Sequence, residues 1–295
     1  MASRAADRNP RTLHDPLQTL RIRRLCQAAG VSVYDVRCRP WDFARGAEEW
    51  ARMPQVVFPR RGVFAVEARG RELIADANHA LLFQSDEPYR VSHPAGCGDD
   101  CTVLAFDEQL AREVIAERDP AAAESAQFFR SAQVACDESV FWWQSRLHQA
   151  ALQGRLDALD LEEGALQLLR ALLASDDRRG VGASPCRVRE GTARLHAEQV
   201  QRASLLLATR FGEGLSLSAI ARAAHCSPFH LARIFRAHFG LTLHQYRHRL
   251  RLREALRRLA VPHLARGRRL LPRAAGGKAT SGRWHSSSDS PATAT

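Results

Sequence analysis

Residues 215–260 read LSLSAIARAAHCSPFHLARIFRAHFGLTLHQYRHRLRLREALRRLA. The stretch parses into three helices. Ser216 or Ser218 caps a short one over Leu217–His225, with Ile220, Ala221 and Ala224 turned inward. Ser227-Pro228 is a second helix start, with serine as N-cap and proline at the first helical position. That helix runs to about Phe239, and Gly240 ends it. Thr242 caps a third, reaching about Ala260 through Tyr246, Leu250, Leu252, Ala255, Leu256 and Leu259.

Two short helices joined by a tight turn, the second basic and capped, form a helix-turn-helix pattern. Leu231, Ile234 and Phe235 recur at helical spacing and face the core. Phe229, His230, Ala232, Arg233 and Arg236 then fall on or near the outward side. Arginine can bond guanine O6 and N7 together, and phenylalanine can touch a thymine methyl. Backbone N–H groups at the helix start, capped by Ser227, can meet a phosphate. The competing reading is an ordinary helical hairpin with a solvated arginine face.

Charge supports the first reading. The 295 residues carry a net charge of +11, unevenly spread. Residues 191–260 hold 12 Arg against Glu198, Glu213 and Glu254, whereas residues 1–190 hold 25 basic and 28 acidic side chains. A polyanion partner is therefore expected for the C-terminal part alone. Just upstream, Thr192–Phe211 reads as one helix with Leu195, Val200, Ala203, Leu206 and Leu207 on its apolar side, stopped by Gly212 and Gly214.

The N-terminal part has a different period. Short strands are expected at Val31–Cys38, Gln55–Phe58, Gly62–Ala68, Glu72–Ala75, Ala80–Gln84 and Thr102–Phe106. Turn residues separate them, which points to a small antiparallel barrel or sandwich. From Glu108 the pattern becomes helical: Glu108–Arg118, Ser139–Gln153 with Trp142 and Trp143, and about Leu161–Ala174. The last carries a stripe at 161, 165, 168, 169, 172 and 173, fit for packing on the barrel or for a dimer seam. The Trp pair reads as core or interface. The domain plan is therefore 12–107, a β domain; 108–175, a helical extension with a possible dimer seam; 176–191, a linker; 192–261, a DNA-binding module; and 262–295, a tail.

The C-terminal run resembles the first half of the DNA-binding domain of AraC/XylS-type transcription regulators. The carrying elements are Ile220-Ala221…Ala224, Ser227-Pro228-Phe229-His230-Leu231, Arg233…Phe235, Phe239-Gly240, Tyr246 and Arg251-Leu252…Ala255. The N-terminal half is similar to that family's cupin-like sensor domain, notably VFPRRGVFAVEARGRELIADANHALLF and EPYRVSHP. The resemblance implies an α+β protein, a cupin-like β-barrel or sandwich with following helices and an all-α helix-turn-helix domain. It implies double-stranded DNA as partner, a small-molecule effector and a homodimer. Phe229, Ala232 and Arg233 take base-reading positions by this resemblance, with Arg236 and Arg251 nearer the DNA backbone.

The family's second helix-turn-helix does not follow. Residues 262–295 have no apolar period and end in a low-complexity tail rich in Arg, Gly, Ser and Thr. Trp284–Thr295, back-translated with freely chosen codons and read from the third base, gives AFVVGFASHSH. That is similar to the family's second unit, so a frameshift near 261–278 is the hypothesis, tested by sequencing the coding DNA. The alternative function is a truncated product that does not bind DNA and whose N-terminal domain only folds or dimerises.

Other chemistries find less support. No apolar stretch of membrane length and no signal-peptide core occurs at Met1–Pro10, so a cytoplasmic protein is expected, with its seven Cys reduced. His93, Cys97 and Cys101, with three residues between each and the next, lie on a turn-rich segment, but the spacing matches no standard zinc pattern. The His-x-His…Glu set of metal cupin enzymes is missing from 31–107. No phosphate-cradling glycine loop and no Ser/His/Asp set is evident. The expectation is therefore no enzyme, no cofactor and no metal.

Overall fold

The computed structural model describes residues 20–39, 45–182 and 190–260. Ten strands come mostly first: β1 (Arg21–Ala28), β2 (Val31–Cys38), β3 (Glu49–Trp50), β4 (Gln55–Arg61), β5 (Phe64–Ala68), β6 (Arg71–Ala75), β7 (His79–Phe83), β8 (Pro88–Ser92) and β9 (Asp99–Phe106). Then come α1 (Glu108–Ala116), α2 (Pro120–Glu124), β10 (Gln133–Ala135), α3 (Glu138–Leu152) and α4 (Ala158–Gly182). The C-terminal part is α5 (Glu190–Arg210), α6 (Leu217–Ala223), α7 (Pro228–Phe239) and α8 (Leu243–Ala260). The α+β class expected from the sequence holds.

The strands form two antiparallel sheets, ordered β1-β2-β9-β4-β7-β10 and β3-β8-β5-β6. Four strands lie outside the sequence reading. β1 is largely exposed and arginine-rich, so it lacks apolar alternation. β8 opens on Pro88, tolerated at a strand's first residue but also a turn signal. β3 and β10 are only two and three residues long.

Most of the apolar stripe of α4 is buried: Leu161, Ala165, Leu168, Leu169 and Leu172 are each no more than 1% exposed, and Leu173 is half-buried against the same core. It packs against α1, α3 and strands β1, β2 and β10 of its own chain. These positions of the stripe are thus spent on the chain's own core, the first of the two uses expected for it. α4 also continues to Gly182, beyond the expected linker start at 176, and α5 begins at Glu190. The tail 262–295, its frame hypothesis and Val261 lie outside the described residues. Among the described residues no helix is long and apolar enough to cross a membrane.

One buried cluster runs from Val31 in β2 to Leu250 in α8, so the helix-turn-helix shares a core with the β unit. The contact is polar as well as apolar. Gln201 on α5 accepts from Ile74 N at 2.7 Å and donates to Glu72 O at 3.1 Å, bonding to β6, the end strand of its sheet. On α8, Arg253 is 2% exposed and donates to the carbonyls of Ala77 and Cys136. Arg249 pairs with Glu138 of α3 at 2.6 Å.

Candidate nucleic-acid interface

α7 is built as its sequence dictates. The Ser227 side chain accepts from His230 N at 3.2 Å, and Pro228 opens the helix. Leu231, Ile234, Phe235 and Phe239 are buried. Gly240 ends the helix with φ +70°, a left-handed conformation that glycine takes without a Cβ penalty. α6 is capped by Ser216, which accepts from Ala219 N at 3.1 Å. The turn between them passes through His225 at φ +54°, and Cys226 N bonds back to Ala221 O at 3.0 Å. α8 starts with a capping box: Gln245 N donates to Thr242 Oγ1 at 3.1 Å, and Thr242 N to Gln245 Oε1 at 2.9 Å.

The burial of that apolar face leaves the other face of α7 in solvent. Phe229 is 83% exposed, a large aromatic ring with nothing covering it among the described residues. Arg233 and Arg236 are exposed beside it. An open cleft of about 540 Å³ is lined by Phe229, Ala232, Arg233 and Arg236, with His244 and Arg247 of α8 across from them. The structure thus brings together four of the sequence-predicted residues. It adds His244 and Arg247, which the sequence reading missed because it traced α8 by its apolar positions, and these two polar residues flank the first of them, Tyr246.

Three predicted residues behave differently. Ser227 is engaged by its cap. His230 is half-buried, its ring 4.9 Å from that of His196 and its Nδ1 3.4 Å from Arg233 Nη2. Burial, and then the charges of His230 and Arg233, hold His196 below the usual histidine range. Arg251 donates to the carbonyls of Phe211 (2.6 Å), Gly212 (3.4 Å) and Glu213 (3.1 Å). It therefore caps the C-terminal end of α5, where orphan carbonyls and the helix dipole favour a cation.

Residues 207–248 match the family model of bacterial regulatory helix-turn-helix proteins, AraC family. The chain carries an AraC-family helix-turn-helix. That match spans the end of α5, both short helices and the first third of α8, and so the whole capped constellation around α7. The AraC assignment makes the module a DNA-binding, regulatory one. No curated protein matches the chain. Solved structures of similar shape include the Clostridium difficile EutQ protein, with 8% identity, a TM-score of 0.28, and coverage of 32% of this chain and 71% of that one. A cupin domain from Bordetella pertussis Tohama I has 13% identity and a TM-score of 0.25, covering 30% of this chain and 93% of its own. The Cupin_2 domain of an XRE family transcriptional regulator from Enterobacter cloacae has 12% identity and a TM-score of 0.25, covering 30% and 95%.

Proposed function

We propose that the protein is a transcription regulator that recognises double-stranded DNA in a sequence-specific way through α7. The observation that carries this reading is the capped, outward face of Phe229, Arg233 and Arg236 inside the AraC-family segment. Arg233 and Arg236 supply forked donors for guanine edges or phosphates, and Phe229 supplies an apolar contact for a thymine methyl. Ser227 presents the helix N-terminus, whose N–H groups suit a phosphate.

A single helix-turn-helix covers one segment of major groove, and useful specificity ordinarily needs a second. A homodimer would supply it. The β unit would answer to a small-molecule effector, a role that rests on the family resemblance of the N-terminal half. This reading places the protein with its DNA in the cytoplasm and gives it no catalytic step.

The test is DNA selection with the purified chain, followed by anisotropy titrations on the selected duplex at several salt concentrations. Arg233→Ala should weaken the selected site by roughly 1–3 kcal/mol and relax its sequence preference. No enrichment by the wild-type chain, or an Arg233→Ala chain with unchanged affinity and salt slope, would overturn the reading.

A further inference from the structure

The His93-Cys97-Cys101 spacing does not survive folding as a unit. Cys97 turns away, its thiol 3.7 Å from the Val63 carbonyl. Two other residues take its place. Strand register sets Cys38, the last residue of β2, directly opposite Asp99, the first of β9. Directly opposed residues on an antiparallel pair hold their Cβ atoms about 4.5–5.5 Å apart. His93 arrives from the other sheet, one residue after β8, and its Nε2 lies 2.7 Å from Asp99 Oδ1.

Cys38, His93 and Asp99 are buried at 6%, 5% and 5% exposure, and their donor atoms all lie within 4.8 Å of one another. Cys101, two residues along β9, sets its Sγ 3.2 Å from Asp99 Oδ2, a further soft donor beside the three. The surroundings hold this geometry closely. A Cβ on Gly98 would lie 2.3 Å from Cys38 O, and one on Gly62 would lie 2.1 Å from Gly98 O. The loop after His93 is therefore pressed onto the end of β2 by two residues without side chains.

We propose that Cys38, His93 and Asp99 form a zinc site that ties the two sheets together. A thiolate, an imidazole and a carboxylate are the donor types zinc takes. Magnesium and calcium prefer all-oxygen shells, so the thiol and imidazole argue against them. Zn–S bonds of about 2.3 Å and Zn–N or Zn–O bonds of about 2.0–2.2 Å put tetrahedral donors well over 3 Å apart. The His93–Asp99 hydrogen bond opens by under about 1 Å to admit the ion. Cys38 and Asp99 belong to one sheet and His93 follows a strand of the other, so the ion bridges both.

The test uses the full chain, purified after growth with zinc, with metal content measured by mass spectrometry. Cobalt(II) is then titrated and read by absorption. The expected result is one zinc per chain and a thiolate-to-cobalt charge-transfer band. Cys38→Ser should abolish the band and weaken zinc binding by more than the roughly 10–100-fold that outer-shell partners contribute. Cys97→Ser should leave both unchanged. His93→Gln, which keeps a hydrogen-bonding group toward Asp99, is the second variant should Cys38→Ser fail to fold, and it should weaken zinc equally. Wild-type chain without stoichiometric zinc would overturn the proposal, as would a band that persists in Cys38→Ser and His93→Gln.

Discussion

The Tyr246 hydroxyl donates to Asp76 Oδ2 at 2.5 Å, joining α8 to the turn between β6 and β7 across 170 residues of sequence. Asn78 Nδ2 reaches back to the Tyr246 carbonyl at 3.4 Å, and the ring sits 5.1 Å from Phe239 and 5.3 Å from Phe235. The tyrosine that anchors α7 and α8 to each other is thus also bonded to the β unit. Burial and the neighbouring Asp76 carboxylate raise its pKa well above the tyrosine range, so it stays a donor.

Tyr246→Phe keeps the ring and deletes the donor. A buried carboxylate oxygen then loses its partner, which costs about 1–3 kcal/mol. The midpoint of urea denaturation should fall accordingly, with an unchanged slope. A midpoint identical to wild type would show that water replaces the hydroxyl at no cost.

Arg233 and Arg251 separate reading from scaffolding. Arg233→Ala should cost DNA affinity and leave the melting temperature near wild type, since its side chain is exposed. Arg251→Ala should do the reverse: about 0.5–1.5 kcal/mol of stability, with the salt slope of DNA binding unchanged. Paired thermal melts and anisotropy titrations decide it. A lowered salt slope in Arg251→Ala would return that residue to the phosphate contacts.

Acid should loosen the β unit through His148. Its Nε2 lies 3.0 Å from Asp35 Oδ1 and its Nδ1 3.2 Å from Arg60. Arg60 can only donate, so the ring is neutral with its proton on Nε2. Burial is the main cause that lowers its pKa below 6.5, the Asp35 hydrogen bond acting the other way. The folded state therefore disfavours the proton, and stability present above about pH 6.5 is lost as pH falls, by up to about 1.4 kcal/mol per unit. Asp35 adds loss of the same sign at lower pH: burial raises its pKa, but the His148 hydrogen bond and the Arg60 charge outweigh that and hold it below the usual range. Urea midpoints at pH 7.5, 6.5 and 5.5 measure this, and a flat profile between the first and last would refute it.

Ser227→Ala should cost about 1 kcal/mol by leaving the first turn of α7 uncapped. Ser227→Gly should cost only a few tenths. Thermal denaturation of the two variants should rank them in that order.

The C-terminal helices were legible because their signals are local. Ser227-Pro228, Gly240 and Thr242 each state a boundary within one turn of chain, and Leu231, Ile234 and Phe235 state a face. The α4 stripe was legible as a stripe, but what covered it depended on strands over a hundred residues away. The carbonyl partners of Arg251 were hidden for the same reason: they lie at the end of a helix about 40 residues upstream. The Cys38-His93-Asp99 cluster was hidden because it is written in strand register rather than in spacing along the chain. Arg253 left no signal at all, since an arginine in a basic helix reads as solvated until its carbonyl partners are seen.

The two hydrogen bonds from Gln201 to β6 make the docking of the helical module observable at a single amide. Ile74 N–H is bonded to the Gln201 side-chain oxygen rather than to another strand. When α5 lifts, that proton meets water and exchanges for deuterium, while amides inside the ladders of the six-stranded sheet remain protected. The exchange rate at Ile74 is therefore a clock for the departure of the helices. The same departure bares an unpaired strand edge, so release from the β unit carries an association hazard unless DNA or another chain is at hand.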